Sequence, residues 1–395
     1  MVFTGARQTG KTTFAKNQFP DYSFISVEDP VTRKEYTKLS AAQWKLLYPK
    51  AILDEVQKQP TLIESIKSVY DQWDEPRYVL SGSSQLLLME KVKESLAGRC
   101  IISEIYPLTL PELSTKSWDD EIKDSLFQQL LMCPTDEMVF LPSFLLDKRM
   151  SEKQQAWDHY LKFGGYPALT DASMNDEDRY LWLSSYVRTY LERDIRDLAS
   201  FRDLEPFIKL QQALAINTGT LVNASSLGTQ IGMTAKSVLR FIQYLELSYQ
   251  TIRLPSWERN LTKRLVKASK THYLDNGVLQ AVLRKRGGIT GFEFESLVIA
   301  ELFKQAKTIQ SQASFYHLRT FDGKEVDLLI ELPEGYFAFE IKMTDRVSKT
   351  DARHLKDLEE ILDKPLLKAF ILSADSSTTY FDEKVVSISA PMFLG

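Results

Sequence analysis

Residues 5–12, Gly-Ala-Arg-Gln-Thr-Gly-Lys-Thr, have the types and spacing that binding of a nucleoside triphosphate requires. The glycines let backbone N–H groups close around phosphate oxygens, and a helix beginning there adds a favourable dipole. In such a loop Lys11 reaches the β- and γ-phosphates, and Thr12 ligates Mg²⁺. An apolar strand precedes the loop and the helix-like TTFAKNQF follows it. We therefore predict ATP contacts at Gly5, Arg7, Gln8, Thr9, Gly10, Lys11, Thr12 and Thr13.

A second chemical signal is the apolar run 51–53, which ends in the adjacent carboxylates Asp54 and Glu55. This is the pattern of a Walker B strand, in which Asp54 binds Mg²⁺ through water and contacts the nucleotide site. Glu55 then orients or polarises the attacking water, so it is a predicted catalytic residue. Paired acids at a strand end are often only a solvated turn, but the upstream phosphate loop favours the catalytic interpretation. We predict Thr12 and Asp54 as the metal ligands.

Two further candidate residues, Ser83 and Arg99, lie beyond the acidic pair. The first is in Leu80-Ser81-Gly82-Ser83-Ser84, at the end of the next strand-like run. Ser83 is a predicted nucleotide contact, because a hydroxyl there can lie between the carboxylates and the γ-phosphate. A plain serine-rich turn is the alternative. Arg99, in Leu96-Ala97-Gly98-Arg99, is a predicted catalytic residue that stabilises transition-state charge in its own subunit or a neighbouring one. A structural salt bridge of Arg99 is the competing interpretation.

A separate set of charged residues lies near the C-terminus. Glu295 is in a predicted helix, Asp327 is in the strand-like VDLLIE, and Glu340-Ile341-Lys342 puts two side chains on one face of the next strand. This resembles the PD-(D/E)xK nuclease pattern, whose chemistry is phosphodiester cleavage. We predict Glu295, Asp327 and Glu340 as metal ligands and Lys342 as the group that orients or activates water. The alternative is a surface salt-bridge cluster that includes Glu325.

Composition limits the remaining possibilities. The chain has 395 residues, 44% hydrophobic and 26% charged, as expected for a globular protein of two or three domains. No run is long and apolar enough for a membrane span, and no secretory signal is visible, so we predict a cytoplasmic protein without membrane contact. Two cysteines and four histidines exclude a disulfide framework or Cys/His zinc site. The net charge is −4, so nucleic acid would bind at local basic runs such as 263–270 and 284–286.

Strand-like and helix-like runs alternate over roughly the first 110 residues, which predicts an α/β fold with a parallel sheet. Helical spacing dominates from about 115 to 215, including 180–201. Residues 221–254 read as helix, turn around Gly232, longer helix and strand, a helix-turn-helix signature in which Lys236 and Arg240 share one face. The α/β character returns near the C-terminus, with a helix expected around 352–362. The predicted domains are 1–113 (ATPase core), 114–215 (helical), 216–270 (winged helix) and 271–395 (nuclease-like).

In this order along the chain, several segments resemble a group of bacterial and archaeal AAA-type ATPases. The group's C-terminal region has long been labelled a domain of unknown function. The segments are GARQTGKTT, ILDEVQKQP, YVLSGSSQLL, LAGR, PLTLPEL, GGYP, YLERDIRDL, the helix-turn-helix and THYLDNGVL. The resemblance covers nearly the whole chain and implies an ATPase, a winged-helix middle and a restriction-endonuclease-like C-terminal fold. The family usually has a further segment before the phosphate-loop strand, which here begins at residue 2, so we expect a shorter or truncated start and question any adenine pocket built by that segment.

Two hypotheses follow from these features. In the first, a Mg²⁺-dependent ATPase is coupled to binding of nucleic acid, DNA in preference, and the C-terminal domain cuts it. In the second, ATP controls a DNA- or protein-binding switch whose nuclease-like domain is catalytically silent, because such folds are also reused as binding scaffolds. A metabolite kinase fits the phosphate loop but leaves the helix-turn-helix without a role. Arg99 and the AAA resemblance favour a homo-oligomer.

Overall fold

The computed structural model describes residues 1–82, 96–135, 147–190 and 204–395. Within these ranges the chain divides into two compact units. The first comprises Met1–Tyr106 with Leu247–Tyr249, and the second comprises Pro107–Thr189, 204–246 and Gln250–Gly395. Across the described ranges, no helix combines the length and apolar character needed to cross a bilayer.

The first unit is built on a sheet of five parallel strands in the spatial order β2-β3-β4-β1-β5. The strands are β1 (Val2–Thr4), β2 (Ser23–Ser26), β3 (Lys50–Asp54), β4 (Arg77–Ser81) and β5 (Ile102–Glu104). The helices are α1 (Lys11–Gln18), α2 (Pro30–Tyr36), α3 (Ala41–Leu47) and α4 (Thr61–Gln72). Because β4 lies between β1 and β3, the segments after these three strands meet at one edge of the sheet.

The three central strands, β1, β3 and β4, are buried on both faces, which explains why their middle residues are apolar. Alternate residues of a strand point to opposite faces. Accordingly, Val2 and Leu53 belong to the larger core, with the buried face of α4, whereas Phe3 and Ile52 belong to a smaller core with Ala15 of α1. The two helical layers therefore fix β1 and β3, the strands that carry the phosphate loop and the acidic pair.

The rest of the described chain contains two further sheets and most of the helices. The helices are α5 (Leu110–Leu113), α6 (Leu126–Met132), α7 (Met150–Phe163), α8 (Asp176–Tyr190), α9 (Glu205–Ile216), α10 (Ala224–Ile231), α11 (Ala235–Leu247), α12 (Leu261–Val266), α13 (Asn276–Leu283), α14 (Gly291–Thr308) and α15 (Ala390–Leu394). The strands are β6 (Thr251–Leu254), β7 (Lys270–Tyr273), β8 (Ser314–Arg319), β9 (Glu325–Glu331), β10 (Tyr336–Lys342), β11 (Leu366–Ser373), β12 (Thr379–Tyr380) and β13 (Val385–Ser389).

The C-terminal sheet is mixed, with the order β12-β13-β11-β10-β9-β8. Strands β8, β9 and β10 are antiparallel neighbours, whereas β10, β11 and β13 run parallel. Helix α14 packs against this sheet and buries most of its length. The predicted α/β fold, with an N-terminal parallel sheet and a separate C-terminal sheet, is confirmed.

The segments between the two larger sheets follow the predicted order of elements. Helix α10 ends at Gly232, whose φ of 74° is left-handed, and α11 and the β6–β7 antiparallel pair follow. The predicted helix at 180–201 is observed as α8 up to Tyr190, and its later residues lie outside the described ranges. The helix expected at 352–362 is wrong. That segment is a series of turns with a 3₁₀ turn at Leu358–Glu360, because Asp357 adopts a left-handed φ of 56°.

Candidate functional site

The phosphate loop joins the end of β1 to the start of α1 through a tight backbone path. Gln8 and Gly10 have left-handed φ angles of 63° and 86°, and α1 begins at Lys11. Gly5 lies so close to the segment after β5 that a Cβ there would be 2.1 Å from the carbonyl oxygen of Ile105. A side chain at Gly5 would therefore push the loop away from the sheet. Left-handed residues between a strand and a helix allow successive N–H groups to face one anion.

The Lys11 side chain is buried and folds back over the loop. Its ammonium donates hydrogen bonds to the carbonyl oxygens of Gly5, at 3.0 Å, and Ala6, at 2.5 Å. Thr9 closes the same turn by donating its hydroxyl to Ala6 at 3.0 Å. The loop thus holds a positive charge at the edge of the sheet, where triphosphate oxygens can accept hydrogen bonds from the Lys11 ammonium.

The two predicted magnesium ligands of this unit are in direct contact. The Thr12 hydroxyl donates to Oδ2 of Asp54 at 2.9 Å. The register pairs Leu53 with Leu80, so Asp54 and Ser81 follow on neighbouring strands. Among the described residues, Asp54 Oδ1 and Ser81 Oγ have no hydrogen-bond partner although both are buried. Hard oxygen donors of this kind suit Mg²⁺ and its bound waters, and buried polar atoms without partners are rare outside functional sites.

Glu55 departs from regular backbone geometry. Its φ of 56° and ψ of 38° are left-handed, directly after β3 and before the 3₁₀ turn Val56–Lys58. The amide of Gln57 donates to its carboxylate at 2.6 Å. A non-glycine residue in this conformation costs on the order of 1 kcal/mol, and such strain is concentrated at functional sites. The turn separates the Glu55 carboxylate from that of Asp54, so the two acids have different surroundings.

The other two predicted groups of this unit have different outcomes. Ser83 lies outside the described residues. Arg99 is described, and its Nε donates to Oδ1 of Asp71 at 2.7 Å, with both side chains partly exposed. This is the salt bridge that was the competing interpretation of Arg99. Its catalytic role stays a prediction, since an exposed ion pair is worth only about 0–1 kcal/mol and can exchange partners.

The four predicted C-terminal residues line one cavity of about 500 Å³. The register places Phe339 opposite Leu328, so Asp327 and Glu340 are adjacent residues on β9 and β10. Lys342 lies farther along β10, and Glu295 comes from α14. The charged and titratable residues that line the cavity are Lys270, Glu295, Glu325, Asp327, Glu340, Lys342 and His354.

Ion pairs and hydrogen bonds hold these carboxylates in different ways. Lys342 Nζ is 2.6 Å from Oε1 of Glu340, whose Oε2 is buried with no partner among the described residues. Lys270 Nζ is 3.0 Å from Oε1 of Glu295 and 3.3 Å from Oε1 of Glu325. Asp327 accepts a hydrogen bond from the N–H of Ile341 at 2.8 Å. The salt-bridge interpretation is therefore correct in part, but the cluster is largely buried instead of on the surface.

The cavity disfavours additional negative charge. Burial, followed by the charge of Asp327, raises the pKa of Glu295 to about 8. The same two causes raise the pKa of Glu340 to about 7. Burial lowers the pKa of the Lys270 ammonium, but the charges of Glu295 and Asp327 more than compensate, so its pKa is raised. Burial and the mutual repulsion of the carboxylates therefore favour the binding of additional positive charge in this cavity.

The donor set has the chemistry for a hard divalent cation, because every acidic ligand is a carboxylate oxygen. Within the described ranges, however, no three His, Cys, Asp or Glu side chains converge closely enough to hold a metal ion as they stand. The predicted ligands Glu295, Asp327 and Glu340 thus share a cavity without forming a finished cluster. Lysines engage two of these ligands, Glu295 and Glu340.

Sequence reasoning missed Lys270, which it placed in a basic run at 263–270. In the structure that run is not a uniform exposed patch. Arg264 is buried and pairs with Glu331 at 2.9 Å, and Lys270 is buried in the cavity wall. The signal available in the sequence was the strand THYL after Lys270, whose apolar and aromatic residues indicate burial. His354 was missed because its segment was read as a helix.

Three family models match successive parts of the chain. Residues 1–114 match an AAA domain, and residues 154–287 and 290–393 match two domains of unknown function, DUF8612 and DUF4143. An uncharacterized protein of Mycobacterium tuberculosis is 25% identical over 374 residues, covering 91% of this chain and 74% of that protein. An uncharacterized protein of Methanocaldococcus jannaschii is 23% identical over 381 residues, covering 91% and 79%. A Walker-type ATPase of Pyrococcus abyssi is 14% identical, covers 72% of this chain and 90% of its own, and has a TM-score of 0.42.

Proposed function

Because the chain carries an AAA-type P-loop ATPase domain at its N-terminus and a DUF4143 domain at its C-terminus, we propose that it hydrolyses ATP in the presence of Mg²⁺. The observation that carries the proposal is the 2.9 Å contact between Thr12 and Asp54, which brings the two ligands of a nucleotide-bound magnesium together beside the phosphate loop. Oδ1 of Asp54, which is buried and has no hydrogen-bond partner among the described residues, supports it further.

Each residue of the phosphate loop and of the acidic pair has a separate role in the proposed hydrolysis. Lys11 exchanges its loop carbonyls for β- and γ-phosphate oxygens and neutralises charge that develops there. Thr12 and Asp54 would hold Mg²⁺, which would supply further positive charge to the phosphates. Glu55 accepts a hydrogen bond from the attacking water and orients it. The water oxygen bonds to the γ-phosphorus, the bond to the β–γ bridging oxygen breaks, and ADP, phosphate and one proton are released.

Glu55→Gln separates binding from hydrolysis. We expect ATP to bind the variant with nearly parental affinity, because glutamine keeps the size of Glu55 and one of its acceptor oxygens. Turnover should fall about 100-fold or more, since a neutral amide orients and polarises the attacking water less effectively than a carboxylate. Calorimetric titration of ATP and steady-state phosphate release measure the two effects. Glu64→Gln on the exposed side of α4 is the matched control. Parental turnover in Glu55→Gln would exclude Glu55 as the water-orienting group.

A second activity, metal-dependent cleavage of nucleic acid in the C-terminal unit, is favoured by one observation. Three buried carboxylates and Lys342 line the same cavity, and Glu340 has a buried oxygen without a partner among the described residues. We propose that Asp327, Glu340 and Glu295 hold Mg²⁺ there and that Lys342 orients the water that attacks a phosphodiester. Cleavage adds this water to phosphorus and breaks one P–O ester bond, leaving a phosphate and a hydroxyl end.

Binding of DNA is part of the same proposal and is supported by the exposed face of α11. Lys236, Leu239, Arg240 and Gln243 form a solvent-exposed stripe on this second helix of the helix-turn-helix. Two cations on a helix that follows a tight turn can contact phosphates and base edges. We also propose that the chain divides into domains at 1–113, 114–215, 216–270 and 271–395, that it forms a homo-oligomer, and that Arg99 stabilises transition-state charge.

The alternative function is a nucleotide-controlled switch that binds DNA or protein without cutting it. The observation that favours it is the pairing of Lys270 with Glu295, because a carboxylate engaged by an ammonium is a poorer metal ligand. Metal binding in the C-terminal cavity distinguishes the two functions. A cleaving enzyme binds a divalent cation there, whereas a switch protein with a silent site does not.

A further inference from the structure

Lys270 occupies the wall of the acidic cavity, and no role in the chemistry described above requires it. Its side chain is 4% exposed, and its ammonium lies between Glu295, at 3.0 Å, and Glu325, at 3.3 Å. A buried lysine is expensive unless charges and hydrogen bonds compensate for its lost hydration. The two carboxylates within 3.3 Å of the Lys270 ammonium supply that compensation.

Lys270 reaches the cavity from outside the C-terminal sheet. It is the first residue of β7, which pairs with β6 directly after the helix-turn-helix, and it forms a bridge with Leu221 just before α10. The neighbouring Ala268 contacts the sheet through its carbonyl oxygen, 3.2 Å from Nε2 of His317. The antiparallel β6–β7 pair therefore carries a cation from the middle segment into a site whose acids belong to α14, β9 and β10.

The position of this cation explains why the acids share a cavity without converging. A divalent ion bound between Asp327, Glu340 and Glu295 would compete with the ammonium for the Glu295 carboxylate. Two cations a few ångströms apart repel each other even in the screened interior of a protein. The partnerless Oε2 of Glu340 shows that the cavity still holds acceptor capacity that the two lysines leave unused among the described residues.

We propose that Lys270 is a resident cation of this cavity that competes with a divalent metal ion for Glu295 and lowers the affinity of the site for it. The inference rests on the proposed C-terminal metal site. Lys270 is a positioning residue in this account. The Lys270 ammonium stabilises the Glu295 and Glu325 carboxylates while no metal is bound. When a metal ion binds, the ammonium must either move away from Glu295 or stay close to a second positive charge. Because Lys270 belongs to the antiparallel β6–β7 pair, a displacement of that strand pair would change the affinity of the cavity for the metal ion.

The test measures Mn²⁺ binding to the full chain by electron paramagnetic resonance, without nucleotide. Binding that disappears in Asp327→Asn is assigned to the C-terminal cavity. Lys270→Met removes the charge with little change in size, and Lys270→Gln removes it but keeps N–H donors for Glu295 if the methionine variant folds poorly. Lys270→Arg keeps the charge. Lys267→Met, which neutralises an exposed lysine paired with Glu258, is the matched control.

We expect Lys270→Met and Lys270→Gln to bind Mn²⁺ about tenfold more tightly than the parent chain, whereas Lys270→Arg and Lys267→Met retain the parental affinity. Unfolding temperatures should show that Mn²⁺ stabilises Lys270→Gln more than the parent. Unchanged or weaker Mn²⁺ binding in both neutral variants, with binding in the parent intact, overturns the competition while leaving the metal site in place. Absence of Mn²⁺ from the parent and every variant rejects the metal site together with the inference.

Discussion

Lys11→Ala is expected to lower the rate of ATP hydrolysis about 1000-fold and to weaken ATP binding strongly. The Lys11 ammonium is the buried cation of the phosphate loop, and it already donates to two oxygen acceptors, the carbonyls of Gly5 and Ala6. Alanine removes the only side-chain charge at the start of α1 that can follow the γ-phosphate into the transition state. Phosphate release at saturating ATP measures the loss in rate, and calorimetry measures the loss in affinity.

Lys16→Ala provides the control for this variant. Lys16 lies one turn farther along α1, is exposed, and its ammonium is 3.7 Å from the centre of the Phe24 ring. It has the same charge and the same helix but faces away from the loop. We expect hydrolysis within about twofold of the parent, since exposed charges contribute little. Similar losses in both variants would mean that the helix, and not the position of the Lys11 charge, determines activity.

Lys342→Ala is expected to reduce Mg²⁺-dependent DNA cleavage at least about 100-fold while leaving ATP hydrolysis unchanged. Lys342 is the only lysine of β10 that faces the cavity, and its ammonium holds Oε1 of Glu340 at 2.6 Å. Without it, the attacking water loses its positioning group and Glu340 loses its counter-charge. Cleavage of single- and double-stranded DNA, with and without ATP, measures the effect and shows whether the ATPase controls it.

Lys349→Ala is the control for cleavage, because Lys349 is exposed in the loop that follows β10. Retained ATP hydrolysis in Lys342→Ala shows that the N-terminal unit is intact, and thermal unfolding reports on the C-terminal unit. Equal cleavage by parent and Lys342→Ala would contradict the assignment of Lys342. No cleavage by the parent under any condition, with ATP hydrolysis intact, would support the nucleotide-controlled switch instead.

The phosphate loop and the acidic strand were predictable because their chemistry depends on neighbours in sequence. Strand β1, the loop and α1 follow each other directly, and the apolar run before Asp54 could only be a buried strand. The contact between Thr12 and Asp54 required one further assumption, that parallel strands end at the same edge of a sheet. The left-handed backbone of Glu55 left no sequence signal, since φ angles above zero are predictable only at glycine and, less often, asparagine.

Several motifs that sequence reasoning took as family signatures have a structural role here. The N–H of Gly165 donates to Asp275 at 2.7 Å, and Asp275 also caps α13 through the N–H of Val278. A Cβ at Gly164 would lie 2.1 Å from the Asp275 carboxylate. The GGYP and LDNG segments are far apart in sequence, and only the folded chain shows that one carboxylate joins them. Burial raises the pKa of Asp275, although three backbone hydrogen bonds oppose that effect.

The buried charges of α14 were not predictable for a related reason. Glu301 and Lys304 form an ion pair at 2.8 Å with both side chains fully buried. Both side chains also bind backbone groups of an earlier segment. Glu301 accepts a hydrogen bond from the N–H of Leu110, and Lys304 donates one to the carbonyl oxygen of Leu108. Charges three residues apart on a helix normally indicate a solvated face. Their burial depends on a segment almost two hundred residues earlier, which periodicity cannot reveal.

The segment 352–362, which was wrongly predicted as a helix, shows that a helical spacing of apolar residues does not establish an α-helix. Its apolar residues Ala352, Leu355, Leu358 and Leu362 are all buried in the core of the C-terminal sheet. A series of turns with a 3₁₀ segment can bury the same positions as an α-helix, because its repeat is close to that of an α-helix. The left-handed Asp357 decides the secondary structure of this segment.

Phosphate release from ATP by the parent chain, measured side by side in Mg²⁺ and in excess EDTA, tests the proposed function most directly. The contact of Thr12 with Asp54 predicts saturable release in Mg²⁺ that falls to the background rate in EDTA and in Lys11→Ala. Release that is equal in Mg²⁺ and EDTA, or no release above background at any ATP concentration, would contradict a magnesium-dependent ATPase built on this loop.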